Sequence, residues 1–167
     1  MGMPPRRKSP KGKMRRPGTV ARAVNELRRG RTIAIAGGDG KTVLALAVET
    51  ANDRAIVKLG KGTRLLLTHA RARTLKIRLY TPEVVALQPG TTKADALRAI
   101  ADPTADLSAP LKGPFEALRE TLPEAASASV KLAKLAGLLP AMLIGRAVSL
   151  PRGMVKIAAA EICGYED

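Results

Sequence analysis

The stretch that decides the fold is Thr32-Ile33-Ala34-Ile35-Ala36-Gly37-Gly38-Asp39-Gly40-Lys41-Thr42-Val43-Leu44-Ala45-Leu46-Ala47-Val48. Two apolar runs, Thr32 to Ala36 and Thr42 to Val48, flank three glycines in four residues. Runs of this length bounded by such a turn predict a β-hairpin. Gly40-Lys41-Thr42 also invites a phosphate-loop reading, G-x-x-x-x-G-K-[ST], in which backbone N–H groups wrap the phosphates. That motif requires glycine at position 35, which holds Ile35 inside the first run. It also opens into a helix, whereas the residues after Lys41 read as a strand. The hairpin is the better reading.

Upstream, Thr19 to Arg29 puts Val20, Ala23, Val24 and Leu27 on one helical face, with Thr19 to cap it and Gly30 to end it. Downstream, Ala51 to Leu59 has weak helical spacing and Arg64 to Thr68 reads as a buried strand. Thr68 can cap a short helix through Leu75, and Val84 to Leu87 is a further strand. Thr91 or Thr92 caps a helix through Ala101, stopped by Asp102-Pro103, and residues 103–114 read as loop. Pro123 suits the first turn of a helix to Gly137, Ala141 to Val148 reads as a strand, and Pro151 to Gly153 is a turn. Helices and strands alternate, which predicts an α/β (α+β) domain of layered sheet and helices.

The chain has 167 residues, 46% of them apolar but only 2% aromatic, so one core built from Ala, Leu, Val and Ile is expected. The formal net charge is +15. Residues 1–17 contain Arg6, Arg7, Lys8, Lys11, Lys13, Arg15 and Arg16 with no acid, among prolines and glycines. This composition predicts a disordered basic tail, with the folded domain over 18–167. Those seven cations are the candidate anion or nucleic-acid contacts, although the scarcity of aromatics argues against stacking on single-stranded bases. Met14 offers an alternative start.

Cys163 is the only cysteine, which excludes an intramolecular disulfide and a multi-cysteine zinc site within the chain. The basic start is followed by no apolar signal segment, so a cytoplasmic location is expected. The longest apolar stretch, Leu135 to Gly145, is broken by Gly137 and Pro140 and is too short for a membrane span. His69, the only histidine, has no visible catalytic partner and reads as a surface or cap residue. Cys163 lies near Glu166 and Asp167, which do not favour a reactive thiolate. The acids are scattered and form no dense carboxylate run.

Val20-Ala21-Arg22-Ala23-Val24-Asn25-Glu26-Leu27-Arg28-Arg29-Gly30-Arg31 resembles the opening of 3,4-dihydroxy-2-butanone 4-phosphate synthase, an α/β enzyme of riboflavin biosynthesis. So does Thr92-Lys93-Ala94-Asp95-Ala96-Leu97-Arg98-Ala99-Ile100-Ala101-Asp102-Pro103. Val130-Lys131-Leu132-Ala133-Lys134-Leu135-Ala136-Gly137-Leu138-Leu139-Pro140 is similar to that family's late helix and the strand after it. The resemblance spans roughly residues 19–148 and implies the family's fold. It also implies that the working residues are missing. The family's acidic D-D-E-D-R-E-N-E-G-D run, which binds the divalent metal and the sugar phosphate, is here Gly37 to Lys41, with Asp39 alone. The family's P-G-H segment corresponds to Lys112-Gly113-Pro114-Phe115, and the acid of its H-T-E-A segment falls at Ser127.

A degenerate domain of this kind precedes the catalytic domain of some alphaproteobacterial GTP cyclohydrolases II. Their A-A-D/E-I-x-x-Y-E stretch is echoed by Ala159-Ala160-Glu161-Ile162-Cys163-Gly164-Tyr165-Glu166. Ring opening of GTP in that family uses a three-cysteine zinc site, for which one cysteine is insufficient. The resemblance therefore implies a truncated product, half of a split gene, or a stand-alone domain. It would have no catalytic residues, metal or cofactor of its own and would be inactive alone. Its implied role is scaffold or partner, with a homodimer and a GTP cyclohydrolase II catalytic domain on a separate chain as partners. The rival expectation is a small basic protein binding nucleic acid through residues 1–17. The family's homodimer would also explain the Leu135 to Ile144 run, if that run is more apolar surface than one small domain must bury.

Overall fold

The computed structural model describes Gly2 and residues 19–107 and 115–166. The seven basic residues of the expected tail, Arg6 to Arg16, and Lys112 to Pro114 lie outside the described residues. The quoted stretch forms the expected hairpin: β1 (Ile33–Ala36) runs antiparallel to β2 (Thr42–Ala47), with Ala36 opposite Thr42. Four further strands complete one sheet: β3 (Arg64–Thr68), β4 (Val84–Leu87), β5 (Met142–Arg146) and β6 (Lys156–Ala158). The order is β4-β3-β5-β2-β1-β6, antiparallel throughout except for the parallel β1–β6 pair.

Helices cover both faces of the sheet. On one face, α1 (Thr19–Arg28), α5 (Glu124–Leu135) and α6 (Ala159–Cys163) pack on Ile33, Ile35, Val43, Leu66 and Ile144. On the other, α2 (Asp53–Lys58), α3 (His69–Thr74) and α4 (Ala94–Ala101) pack on Leu46, Leu65, Leu67 and Leu143. Alternation along each strand sends neighbouring residues to opposite cores. This is why β3, β4 and β5 read as nearly continuous apolar runs.

Local signals account for several element ends. The Thr68 hydroxyl accepts the amide of Arg71 and the Asn52 side chain that of Ala55, capping α3 and α2. Gly30 has φ +74°, and a Cβ there would meet the Thr50 carbonyl oxygen at 2.5 Å, so only glycine fits this helix end.

Four expectations are corrected. Neither Thr91 nor Thr92 caps α4. Its N-cap is Lys93, and the carboxylate that accepts the Ala94 amide, at 2.8 Å, belongs to Asp53 of α2. Pro123, with ψ 154°, stands just before α5 rather than in its first turn. Residues 103–106 are a short 3-10 helix rather than loop, begun by Asp102 accepting the Thr104 amide. The Leu135 to Ile144 run is not surplus. It closes α5 and enters the inner strand β5: Ala141 just before the strand and Met142, Leu143 and Ile144 within it are buried, and Leu135, Leu138 and Leu139 pack partly buried against the two cores. The argument it offered for a dimer therefore falls away. Among the described residues no helix is long and apolar enough to cross a membrane.

Candidate functional site

The β1–β2 turn is closed by the Gly37 amide donating to the Lys41 carbonyl at 2.9 Å. Asp39 secures it from within and without. One carboxylate oxygen accepts the Lys41 amide at 3.0 Å, and the other accepts the Glu124 amide, at the start of α5, at 3.1 Å. Glu124 reciprocates: its carboxylate accepts the Gly38 amide at 2.7 Å. Two acids 85 residues apart thus clasp the turn to the front of α5. The Glu124 amide holds the Asp39 carboxyl below its ordinary value, helped by the Lys41 amide and opposed by desolvation.

Beside this clasp, three inner strands end in cations: Lys41 precedes β2, Arg64 opens β3 and Arg146 closes β5. They line an open cavity of about 590 Å³ with Glu120, Val43 and Ile144. Arg64 donates to Glu120 at 2.6 Å, and that bond draws the Glu120 carboxyl below its usual range. A divalent metal does not fit this donor set. Asp39 and Glu124 are committed to backbone amides and stand beside Lys41. Among the described residues no group of three or more His, Cys, Asp or Glu could hold a metal ion.

The remaining sequence candidates are not brought to this place. His69 begins α3, at the far end of β3 from Arg64, with its Nε2 2.8 Å from the Thr81 carbonyl oxygen. Cys163 is exposed at the end of α6, where its carbonyl accepts from Lys131 Nζ at 2.8 Å. Ser127 lies one turn into α5, its hydroxyl 3.5 Å from the Glu124 carbonyl.

Sequence reasoning missed Glu124, Glu120, Arg64 and Arg146. Glu124 carried one local signal, an acid in the first turn of a helix after proline. Nothing local tied it to Asp39. Arg64 opens an apolar run and Arg146 follows one, and their meeting depends on β3 and β5 being neighbours.

The clasp and the Arg64–Glu120 bond predict an acid-sensitive fold. Carboxyls with depressed folded-state values contribute stability that is present above their unfolded values and is lost as pH falls through the folded ones. Melting temperature should therefore hold near neutrality and fall below about pH 4. Asp39→Asn should flatten part of that decline; an unchanged profile would show that the turn does not depend on the carboxylate.

The comparisons with known proteins agree with this architecture. No family model matches the chain. Over 133 residues it is 35% identical to GTP cyclohydrolase-2 of Azospirillum brasilense, covering 77% of this chain and 34% of that protein. The chain thus spans about a third of the length of the curated relative it matches. Among solved structures, a two-domain 3,4-dihydroxy-2-butanone 4-phosphate synthase from A. baumannii superposes with a TM-score of 0.65 at 17% identity, covering 86% of this chain and 56% of that one. The synthase of Candida albicans gives 0.64 at 17% identity, covering 87% and 96%. A synthase in complex with two magnesium ions gives 0.56 at 17% identity, covering 83% and 81%. The chain thus has the fold of 3,4-dihydroxy-2-butanone 4-phosphate synthase and is related in sequence to part of GTP cyclohydrolase-2.

Proposed function

We propose that this domain is non-catalytic and serves riboflavin biosynthesis as a scaffold or partner of a GTP cyclohydrolase II catalytic domain. The observation that carries this reading is the Asp39–Glu124 clasp. At the turn where the synthase resemblance places an acidic, metal-binding run, both carboxylates hold the fold together and a lysine stands beside them. Removing a proton next to a sugar carbonyl needs a free base and a positive centre to stabilise the developing enediolate. The Asp39 carboxylate, with each oxygen accepting a backbone amide, is a weakened base, and Lys41 disfavours a metal beside it. The fold persists without the rest of that acidic run, so a surface that pairs with other chains can outlive the chemistry. A homodimer, and a cyclohydrolase domain on a separate chain, are the partners this reading proposes, in the cytoplasm.

The purified protein, given ribulose 5-phosphate and magnesium, should form no more product than a blank without enzyme. Mixed with a GTP cyclohydrolase II catalytic domain, it should co-elute from a sizing column at moderate salt. Turnover that Asp39→Ala abolishes would overturn the non-catalytic reading. Separate elution at every concentration would overturn the partner role.

A further inference from the structure

The strand register brings two of the cavity's cations together on one face, and the β1–β2 turn adds the third. Arg64 lies opposite Ile144, and Arg146 opposite Val43. Arg146 is two residues after Ile144. Period-two alternation therefore sets Arg64 and Arg146 on the face of Val43 and Ile144, which looks towards α5. Lys41, in the turn just before β2, lines the same cavity. Arg64 and Arg146 are diagonal neighbours across the β3–β5 pair. Such neighbours stand about 7–8 Å apart. Like charges so placed repel one another, and the cavity contains one acid to offset three cations. That acid, Glu120, is spent on Arg64. Neither Lys41 nor Arg146 makes an ion pair within 4 Å among the described residues. Asp39, the acid beside Lys41, has each oxygen on a backbone amide.

We propose that this cavity binds a diphosphate-bearing small molecule through Lys41 and Arg146, without a divalent metal. The planar guanidinium of Arg146 matches two oxygens of one phosphoryl group, and the Lys41 ammonium serves a second as a point charge. Two cations on the lining of one cavity, neither of them in an ion pair among the described residues, suit two linked phosphoryl groups better than one. Thr121 in the lining adds a hydroxyl donor, and the open mouth leaves room for the rest of the molecule. The cavity has the opposite sign from a magnesium site, so metal and anion are not interchangeable there. This inference does not rest on the scaffold role, and its failure would leave that role standing.

The test is calorimetric titration of the full chain with inorganic pyrophosphate, in EDTA and about 0.15 M salt, where surface attraction is largely screened. Orthophosphate is titrated in the same buffer, and magnesium chloride in the same buffer without EDTA. Pyrophosphate should bind at least tenfold more tightly than orthophosphate, and magnesium chloride should give no binding heat. Lys41→Ala and Arg146→Ala should each weaken pyrophosphate binding tenfold or more. Both side chains are exposed, so melting curves should stay close to that of the parent. Lys134→Ala, at the opposite end of α5, should leave the affinity unchanged. Absent binding, equal affinity for orthophosphate, or equal weakening by Lys134→Ala would overturn the proposal. So would magnesium binding that Asp39→Ala removes.

Discussion

Arg71→Ala should lower the unfolding free energy by about 3–5 kcal/mol, the range for breaking a buried ion pair from one side. The Arg71 side chain is 6% exposed, and its guanidinium reaches three separate parts of the chain. Nε donates to the Ile100 carbonyl at 2.8 Å, Nη1 and Nη2 grip both oxygens of Asp106 at 2.7 and 2.8 Å, and Nη2 reaches the Asp102 carbonyl at 3.4 Å. One side chain on α3 thus fastens the end of α4 to the 3-10 helix that follows it. Alanine deletes these bonds and leaves a void beneath α4. The Asp106 side chain is 32% exposed, so its carboxylate recovers some hydration and the loss should fall towards the lower end of the range. Arg71→Lys keeps the charge but loses the fork, and should recover less than half of the loss. Urea unfolding would show a lower midpoint with an unchanged slope. A loss below about 1 kcal/mol would mean that α4 and the 3-10 helix hold their places without Arg71.

The same residue shows where sequence reading stops. Arg64 to Thr68 and Val84 to Leu87 were legible to the residue, because short apolar runs between polar turns have one plausible conformation in a layered fold. The ends of α1 and α3 were legible too, since Thr68 and Gly30 act on their immediate neighbours. What failed was every contact made at a distance. A carboxylate 41 residues away caps α4, while the adjacent threonines suggested a local cap. Arg71 had no sequence signal for burial because its partners lie 29 to 35 residues further on. The cation cavity depends on strand order, and no periodicity reveals that β5 lies between β3 and β2. Composition shows the positive charge without placing any of it at this cavity, and the seven cations of residues 1–17 lie outside the described residues. The turn at Gly37 to Lys41 was read correctly as poor in acids, yet Asp39 proved to be half of a clasp whose other half, Glu124, had gone unnoticed.

The apolar Leu135 to Ile144 run yields the second large effect, because core and interface predict different behaviour. Leu143 is fully buried on β5, opposite Leu46 on one side and Leu65 on the other. It packs towards Leu97 and Ile56 in the core beneath α2 and α4. Leu143→Ala should cost about 2–5 kcal/mol, combining lost transfer free energy with a cavity that two hydrogen-bonded strands cannot close. For a chain of this length that is a fall in Tm of roughly 10 °C. Leu138, half-buried in the turn before β5, should lose no more than about 1 kcal/mol on the same substitution, since its surroundings are already partly hydrated. Protein concentration decides the meaning of the result. If Leu143 acts through this chain's own core, its Tm deficit will be the same at low and high concentration. A deficit that shrinks as concentration rises would show the run working at an interface between copies, since mass action stabilises only assembled species.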